Sequence, residues 1–186
     1  MTSKYIEITP EDSREGVKLS FKKITNLIDS ADCLKMNNYY DSSIVISIYA
    51  LEEISRCKVF LSSIHNQKNI TKEMWKELSK SHKSKLYRII KEIYYDKENK
   101  LIKGEYRLNK NLNITLGKLK LNIKRCENFS KLLLFIRKQA LYTDWKNGKW
   151  ISNENLETME KLSNSMINEN KRLQQKIKNE IISLNI

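Results

Sequence analysis

Ile44-Val45-Ile46-Ser47-Ile48-Tyr49-Ala50-Leu51-Glu52-Glu53-Ile54-Ser55-Arg56 is the stretch that decides the fold. With Val59, Phe60 and Leu61 behind it, the segment is apolar nearly all round, the pattern of a helix surrounded by other helices. Upstream, Asn37-Asn38 breaks the chain, and before it Val17, Phe21, Ile24, Ile28, Ala31 and Leu34 recur every three or four residues on one helical face. That earlier helix opens on Thr9-Pro10-Glu11-Asp12. These supply an N-cap, a proline at the first helical position and two acids at the positive end of the helix dipole.

Downstream, residues 66–69 interrupt the pattern and Thr71 caps a third helix reaching to about 96. Its inner stripe runs through Trp75, Leu78, His82, Leu86, Ile89 and Ile93. Residues 97–110 read as a polar connection containing Gly104. The next stretch has two readings. Leu112, Ile114 and Leu116, then Gly117-Lys118, then Leu119, Leu121 and Ile123 alternate like a hairpin with a two-residue turn. Leu116, Leu119, Ile123, Cys126, Phe129, Leu133, Ile136 and Ala140 keep helical steps, and the longer period favours a helix. Residues 142–150 read as a loop. Ser152 or Asn153 caps a last helix to about 184, striped by Leu156, Met159, Leu162, Met166, Leu173, Ile177 and Ile181. The expectation is an all-α bundle of about five helices in one domain over residues 1–186, the second helix most buried.

Composition agrees. The 186 residues include one proline and four glycines, too little turn material for a many-stranded sandwich or barrel. Hydrophobic residues at 40% and charged residues at 31% exclude disorder and collagen. Cys33, Cys57 and Cys126 are odd in number and widely spaced. They suggest neither a disulfide framework nor a zinc site, so no metal or cofactor is expected and the thiols are expected buried and reduced. The first fifteen residues lack an apolar targeting core, and the apolar run 44–51 is too short to span a bilayer. The expected location is the cytoplasm, away from membranes.

Charge is unevenly spread. The formal net charge is +13. Residues 1–70 hold nine basic and nine acidic side chains and residues 151–186 five of each, so the whole surplus falls in 71–150. A basic middle between neutral ends fits a polyanion-binding surface, with RNA, DNA, an acidic protein and anionic lipid all admissible. A lysine-rich solvated face in a chain of AT-rich coding is the plainer alternative.

Three places carry candidate chemistry. Glu52, Glu53 and Arg56 interrupt the apolar helix, where charges must pair or face a polar cleft. Glu52 reaches Arg56 at i+4 and Glu53 reaches it at i+3, so one guanidinium is expected to compensate both. His82 lies on the inner stripe of the third helix with Lys83 and Lys85 beside it. It reads either as a satisfied core histidine or as a site residue. Arg137-Lys138-Gln139-Ala140-Leu141-Tyr142-Thr143-Asp144 gathers an arginine suited to phosphate, a tyrosine and an aspartate where a helix meets its loop.

Taken together, Tyr40 and Ile44 leading into Ala50-Leu51-Glu52-Glu53-Ile54-Ser55-Arg56, then His82 with its lysines, then Arg137 to Tyr142 and Asp144, resemble one known group. It is the AbiV group of abortive-infection proteins in the HEPN superfamily. The resemblance spans about 12–145, with the helix at about 153–184 beyond it. It implies a HEPN-like bundle, often homodimeric, and a metal-independent ribonuclease whose Arg-x4-6-His motif cleaves RNA through the 2′-hydroxyl. Arg137 matches the arginine, but Tyr142 stands in the histidine's place. The implied catalytic set is therefore Arg137 on the scissile phosphate, Tyr142 or His82 moving protons, Glu53 with Arg56 orienting them, and Asp144 in the same cluster. Lys83, Lys85 and Lys138 are implied RNA contacts. The implied partners are ribosomal, transfer or messenger RNA and a phage-encoded protein that activates a resting form, with arrest of translation the outcome. The competing expectations are a non-catalytic RNA- or ribosome-binding inhibitor of translation and a protein-interaction adaptor using the last helix.

Overall fold

The computed structural model describes residues 7–94, 107–108, 114–115, 123–141, 144–146, 149–151 and 156–186. Side chains at 80, 92–94, 107–108, 114–115, 123–126, 139–141, 144–146, 149–151 and 156 lie outside that description. Helix α1 spans Pro10–Met36. Its start is a reciprocal capping box: the Asp12 backbone N–H donates to Thr9 Oγ1 at 3.1 Å, and the Thr9 N–H donates to the Asp12 carboxylate at 3.0 Å. Asn38, at φ 63°, makes the tight turn, a conformation asparagine tolerates better than most side chains.

Helix α2 spans Tyr40–Asn66 and runs antiparallel to α1. Ser43 Oγ donates to the Ala31 carbonyl at 2.7 Å near the turn, and Ser13 and Ser63 hydroxyls meet at 3.2 Å at the far end. Gly16 lets the two helices approach, since a Cβ there would lie 3.1 Å from the Phe60 ring. Helix α3 is Lys72–Lys80, capped by the Thr71 hydroxyl. Helix α4 is His82–Tyr94.

The third helix expected from periodicity is thus two helices. The chain is extended at Ser81 (φ −108°, ψ 105°), and the Ser81 hydroxyl accepts from the Ser84 N–H at 3.1 Å, capping α4. Apolar spacing survives the break, because Leu78 and Leu86 are both buried on its two sides.

Strand β1, Arg107–Leu108, pairs antiparallel with β2, Ile114–Thr115. Helix α5 spans Ile123–Leu141, β3 Asp144–Lys146 and β4 Lys149–Ile151, and helix α6 closes the chain at Leu156–Ser183. Ile114 pairs with Leu108, so the hairpin about Gly117-Lys118, the alternative to the favoured helix, is not the pairing formed at Ile114. The helix expected over this stretch is present at Ile123–Leu141, and its expected beginning at 116–122 lies outside the described residues. The loop expected at 142–150 contains a short hairpin, with Trp145 opposite Trp150.

Helix α6 runs parallel to α2. Ser163 meets Ser43 at 2.7 Å, the Asn170 amide donates to the Ser47 carbonyl at 2.9 Å, and Lys58 pairs with Glu180. One apolar cluster draws on all six helices, with Ile44, Ile48 and Ile54 of α2 fully buried. The fold is an all-α bundle with α2 at its centre, as the encircling apolar pattern predicts. Among the described residues no helix is long and apolar enough to cross a membrane. The thiol expectation divides: Cys57 is buried, but Cys33 is exposed, two residues past Ala31 and so on the opposite face of α1.

Candidate functional site

Adjacent residues on a helix project about 100° apart, so Glu52 and Glu53 leave α2 in different directions. Glu53 turns toward α1. The Ser20 hydroxyl donates to its Oε1 at 2.8 Å and Arg56 Nη1 donates to its Oε2 at 2.9 Å. Burial, reinforced by the negative charges of Glu53 and then Glu180, pushes the nearby Cys57 thiol up to about 12, which leaves it inert as a nucleophile.

Glu52 turns toward α4 and α5. Its Oε2 lies 2.6 Å from His82 Nδ1 and 3.1 Å from Lys85 Nζ, and its Oε1 accepts from Arg137 Nη1 at 3.2 Å. The expectation that Arg56 compensates both carboxylates is therefore corrected. Arg56 takes Glu53, while Glu52 finds partners 30 and 85 residues away, beyond the reach of an i+3 or i+4 rule.

Exposure rises outward through this cluster. Side-chain accessibility is 5% at Glu52, 7% at Lys85, 19% at Arg137 and 44% at His82. A carboxylate only accepts hydrogen bonds, so the 2.6 Å contact puts the Nδ1 proton between His82 and Glu52. Arg137 Nη1 stands within hydrogen-bonding distance of the same nitrogen, at 3.1 Å, as well as donating to Glu52 Oε1. With its proton on Nδ1 toward Glu52, a neutral imidazole leaves Nε2 as the bare nitrogen. One carboxylate faces a lysine, an arginine and an ionisable histidine, so the cluster carries a positive surplus toward its exposed rim. Tyr49, one turn before Glu52, completes it: the Arg137 guanidinium carbon stands 5.3 Å from the Tyr49 ring centroid, and the His82 ring meets Tyr49 edge-on at 6.5 Å.

The site expectations sort accordingly. His82 and Arg137 come together. His82 is not on an inner stripe, because the break at Ser81 makes it the first, exposed residue of α4. Lys85, expected as an RNA contact, is a buried partner of Glu52 instead. Lys83 and Lys138 are exposed. Glu53 and Arg56 form their own pair and have no contact with His82 among the described interactions. Tyr142 lies outside the described residues, and Asp144 begins β3. Sequence reasoning noticed Glu52 but assigned it no role. The available signal was its three-residue spacing from Tyr49 on an otherwise apolar helix.

Two clefts of about 470 and 450 Å³ flank Lys58, Ser62 and Asn66 at the far end of α2, and neither is lined by Glu52, His82 or Arg137. Among the described residues no group of three histidine, cysteine or acidic side chains is placed to hold a metal ion. A family model described as AbiV, one of the HEPN families, matches residues 12–175. No curated protein and no solved structure matches.

Proposed function

The chain belongs to the AbiV family of HEPN proteins, and from that premise and the Glu52 cluster we propose that it acts in abortive infection by cleaving RNA. The observation that carries the reading is His82, held through Nδ1 by a buried carboxylate and set 3.1 Å from an arginine. A histidine oriented in this way by a carboxylate presents Nε2 as a base. In the proposed reaction Nε2 takes the proton of a ribose 2′-hydroxyl as that oxygen bonds to the adjacent phosphorus. The bond from phosphorus to the 5′-oxygen breaks, and that oxygen leaves with a proton from an acid, for which Tyr142 is the candidate. The products are a 2′,3′-cyclic phosphate and a 5′-hydroxyl. Arg137 has guanidinium N–H groups beyond the one on Glu52, and these suit a phosphate whose charge spreads in the transition state.

Glu52 replaces Glu53 and Arg56 as the orienting group in this scheme, because Glu52 touches both His82 and Arg137. Exposed Lys83 and Lys138 lie beside these two residues in sequence and would meet neighbouring phosphates. The reading includes action in the cytoplasm, a homodimer that brings two Arg137 regions together, and release of activity by a phage protein. These parts are carried over from the resemblance to HEPN proteins. A trigger can activate only by binding the active arrangement more tightly than the resting one, so it must act on the Glu52 cluster's geometry.

The second reading, a non-catalytic RNA or ribosome binder that stops translation, is favoured by one observation: Tyr142 occupies the histidine position of the HEPN motif. Incubating the purified protein with total RNA, with and without extract from phage-infected cells, and sequencing fragment ends separates the two. Cyclic-phosphate ends that vanish in Arg137→Ala support the enzyme. Arrest of a translation extract with intact RNA supports the binder.

A further inference from the structure

Helix α2 is the best-covered element of the fold, and between residues 43 and 61 its one exposed residue is Tyr49, 36% accessible, with Ile46, Arg56 and Lys58 only partly so. Its neighbours Ile48 and Ala50 are fully buried, and Leu51 nearly so. A large aromatic on a central helix would ordinarily bury its ring, since burial of apolar area is favourable. Here the ring sits at the rim of the Glu52 cluster instead. The Arg137 guanidinium lies over it at 5.3 Å and the His82 ring meets it edge-on at 6.5 Å. The side chain that would hold a phosphate and the one that would take the 2′-hydroxyl proton thus both touch the same exposed aromatic ring.

We propose that Tyr49 is the nucleobase platform of this site: the base next to the phosphate held by Arg137 stacks on its ring. The inference rests on the RNA reading and deepens it, because it names where the base goes. The chemistry is suited to the ligand. A single-stranded nucleotide offers a phosphate, a ribose and a flat π face, and single-strand binders meet these with a cationic group beside an aromatic side chain. Arginine on an aromatic ring adds a further planar cation that a base can extend. Stacking accepts every base, since each has a π face, so the platform predicts broad tolerance at this nucleotide with a preference for purines, which stack over more area.

The test uses binding, so that it is independent of cleavage. Two series of short 2′-O-methyl oligonucleotides are compared, one intact with a purine stepped through each position and one with a single abasic position stepped through the strand. Neither can be cut by 2′-oxygen attack. The wild-type full-length chain is expected to lose about tenfold in affinity at one abasic position, within the usual range for base–aromatic stacking. Tyr49→Ala is expected to bind the intact strand about tenfold more weakly and to be insensitive to the abasic site, while Tyr49→Trp keeps both affinity and sensitivity. That rescue separates stacking from a merely structural role. Intact RNA binding with equal abasic sensitivity in wild type and Tyr49→Ala overturns the platform alone. Absence of binding by any strand overturns the RNA reading, and the platform with it.

Discussion

Glu52 and Glu53 are neighbours on one buried helix, yet they are held in opposite ways. Glu53 has one guanidinium and one hydroxyl, a balanced pair closed within α1 and α2. Glu52 has three cationic or ionisable partners from two further helices, and their exposure climbs to 44% at His82. A balanced pair fixes helix packing, even with its Arg56 side chain 26% accessible. An over-compensated carboxylate with its surplus at the surface attracts an anion and orients a base. The difference distinguishes a packing pair from a candidate site without reference to motif.

The largest effect is expected at Glu52. Glu52→Gln keeps the shape but removes the charge facing buried Lys85, and loss of one partner of a buried pair costs about 3–5 kcal/mol. Urea unfolding should show this, and Lys85→Met in the same chain should restore most of it, because the stranded ammonium is then gone. The same variant should lose RNA cleavage, since His82 no longer has its orienting partner. An unchanged unfolding midpoint for Glu52→Gln would show the cluster to be solvated in solution.

His82→Gln comes next and should separate chemistry from folding. General-base catalysis contributes about 10²–10⁴-fold, so cleavage of a defined oligonucleotide should drop by that factor. The unfolding midpoint should move little, because nearly half of the imidazole is already in water. RNA affinity should also hold, since the substitution leaves Arg137 in place. A variant that cleaves within tenfold of the parent would move the base elsewhere and leave Glu52 as a second structural cluster.

Glu53→Gln is the converse control. It leaves a hydrogen-bonding group for Ser20 but removes the partner of Arg56, and a buried hydrogen bond to a charged group is worth about 1.5–3 kcal/mol. Stability should fall by that amount, while RNA affinity and cleavage by the folded fraction stay within about twofold, well under the 1.4 kcal/mol that marks a tenfold change. Selective loss of cleavage at full folding would return Glu53 to the catalytic set and erase the contrast.

Much of this was legible in the chain, and the gaps have physical causes. Thr9, Pro10 and Asp12 specify the start of α1 through local hydrogen bonds, so reading them locally suffices. The apolar girth of α2 names the central helix for the same reason. The split at Ser81 leaves helical spacing intact on both sides, so periodicity passes over it. Only the serine cap three residues before Ser84 betrays it. Glu52 is the harder case. Spacing rules see partners three or four residues away, and its actual partners come from α4 and α5, brought in by tertiary packing. His82 was visible as a candidate, but its exposure follows from the same hidden break.

The smallest expected effect belongs to a third carboxylate that also has two cations. Asp32 accepts from Lys171 of α6 at 2.6 Å and lies 2.8 Å from Lys35, so it has the surplus of Glu52 without the burial. Its side chain is 26% accessible and that of Lys171 49%. The Lys171 hydrogen bond first, and the Lys35 one second, hold its carboxyl below the ordinary carboxylate value. A carboxyl whose folded value is depressed stabilises the fold fully above its unfolded value, near 4, and that contribution drains away as pH falls through the lower folded value. Asp32→Asn should therefore cost at most about 1 kcal/mol at neutral pH, because solvent and salt screen an exposed pair. The gap between parent and variant should stay level from neutral down to about pH 5, close below about pH 4, and shrink at high salt at any pH. A gap as large as that of Glu52→Gln, or one that salt leaves unchanged, would mean that cation surplus alone sets the energetics. Burial would then no longer distinguish the Glu52 cluster from an ordinary surface pair.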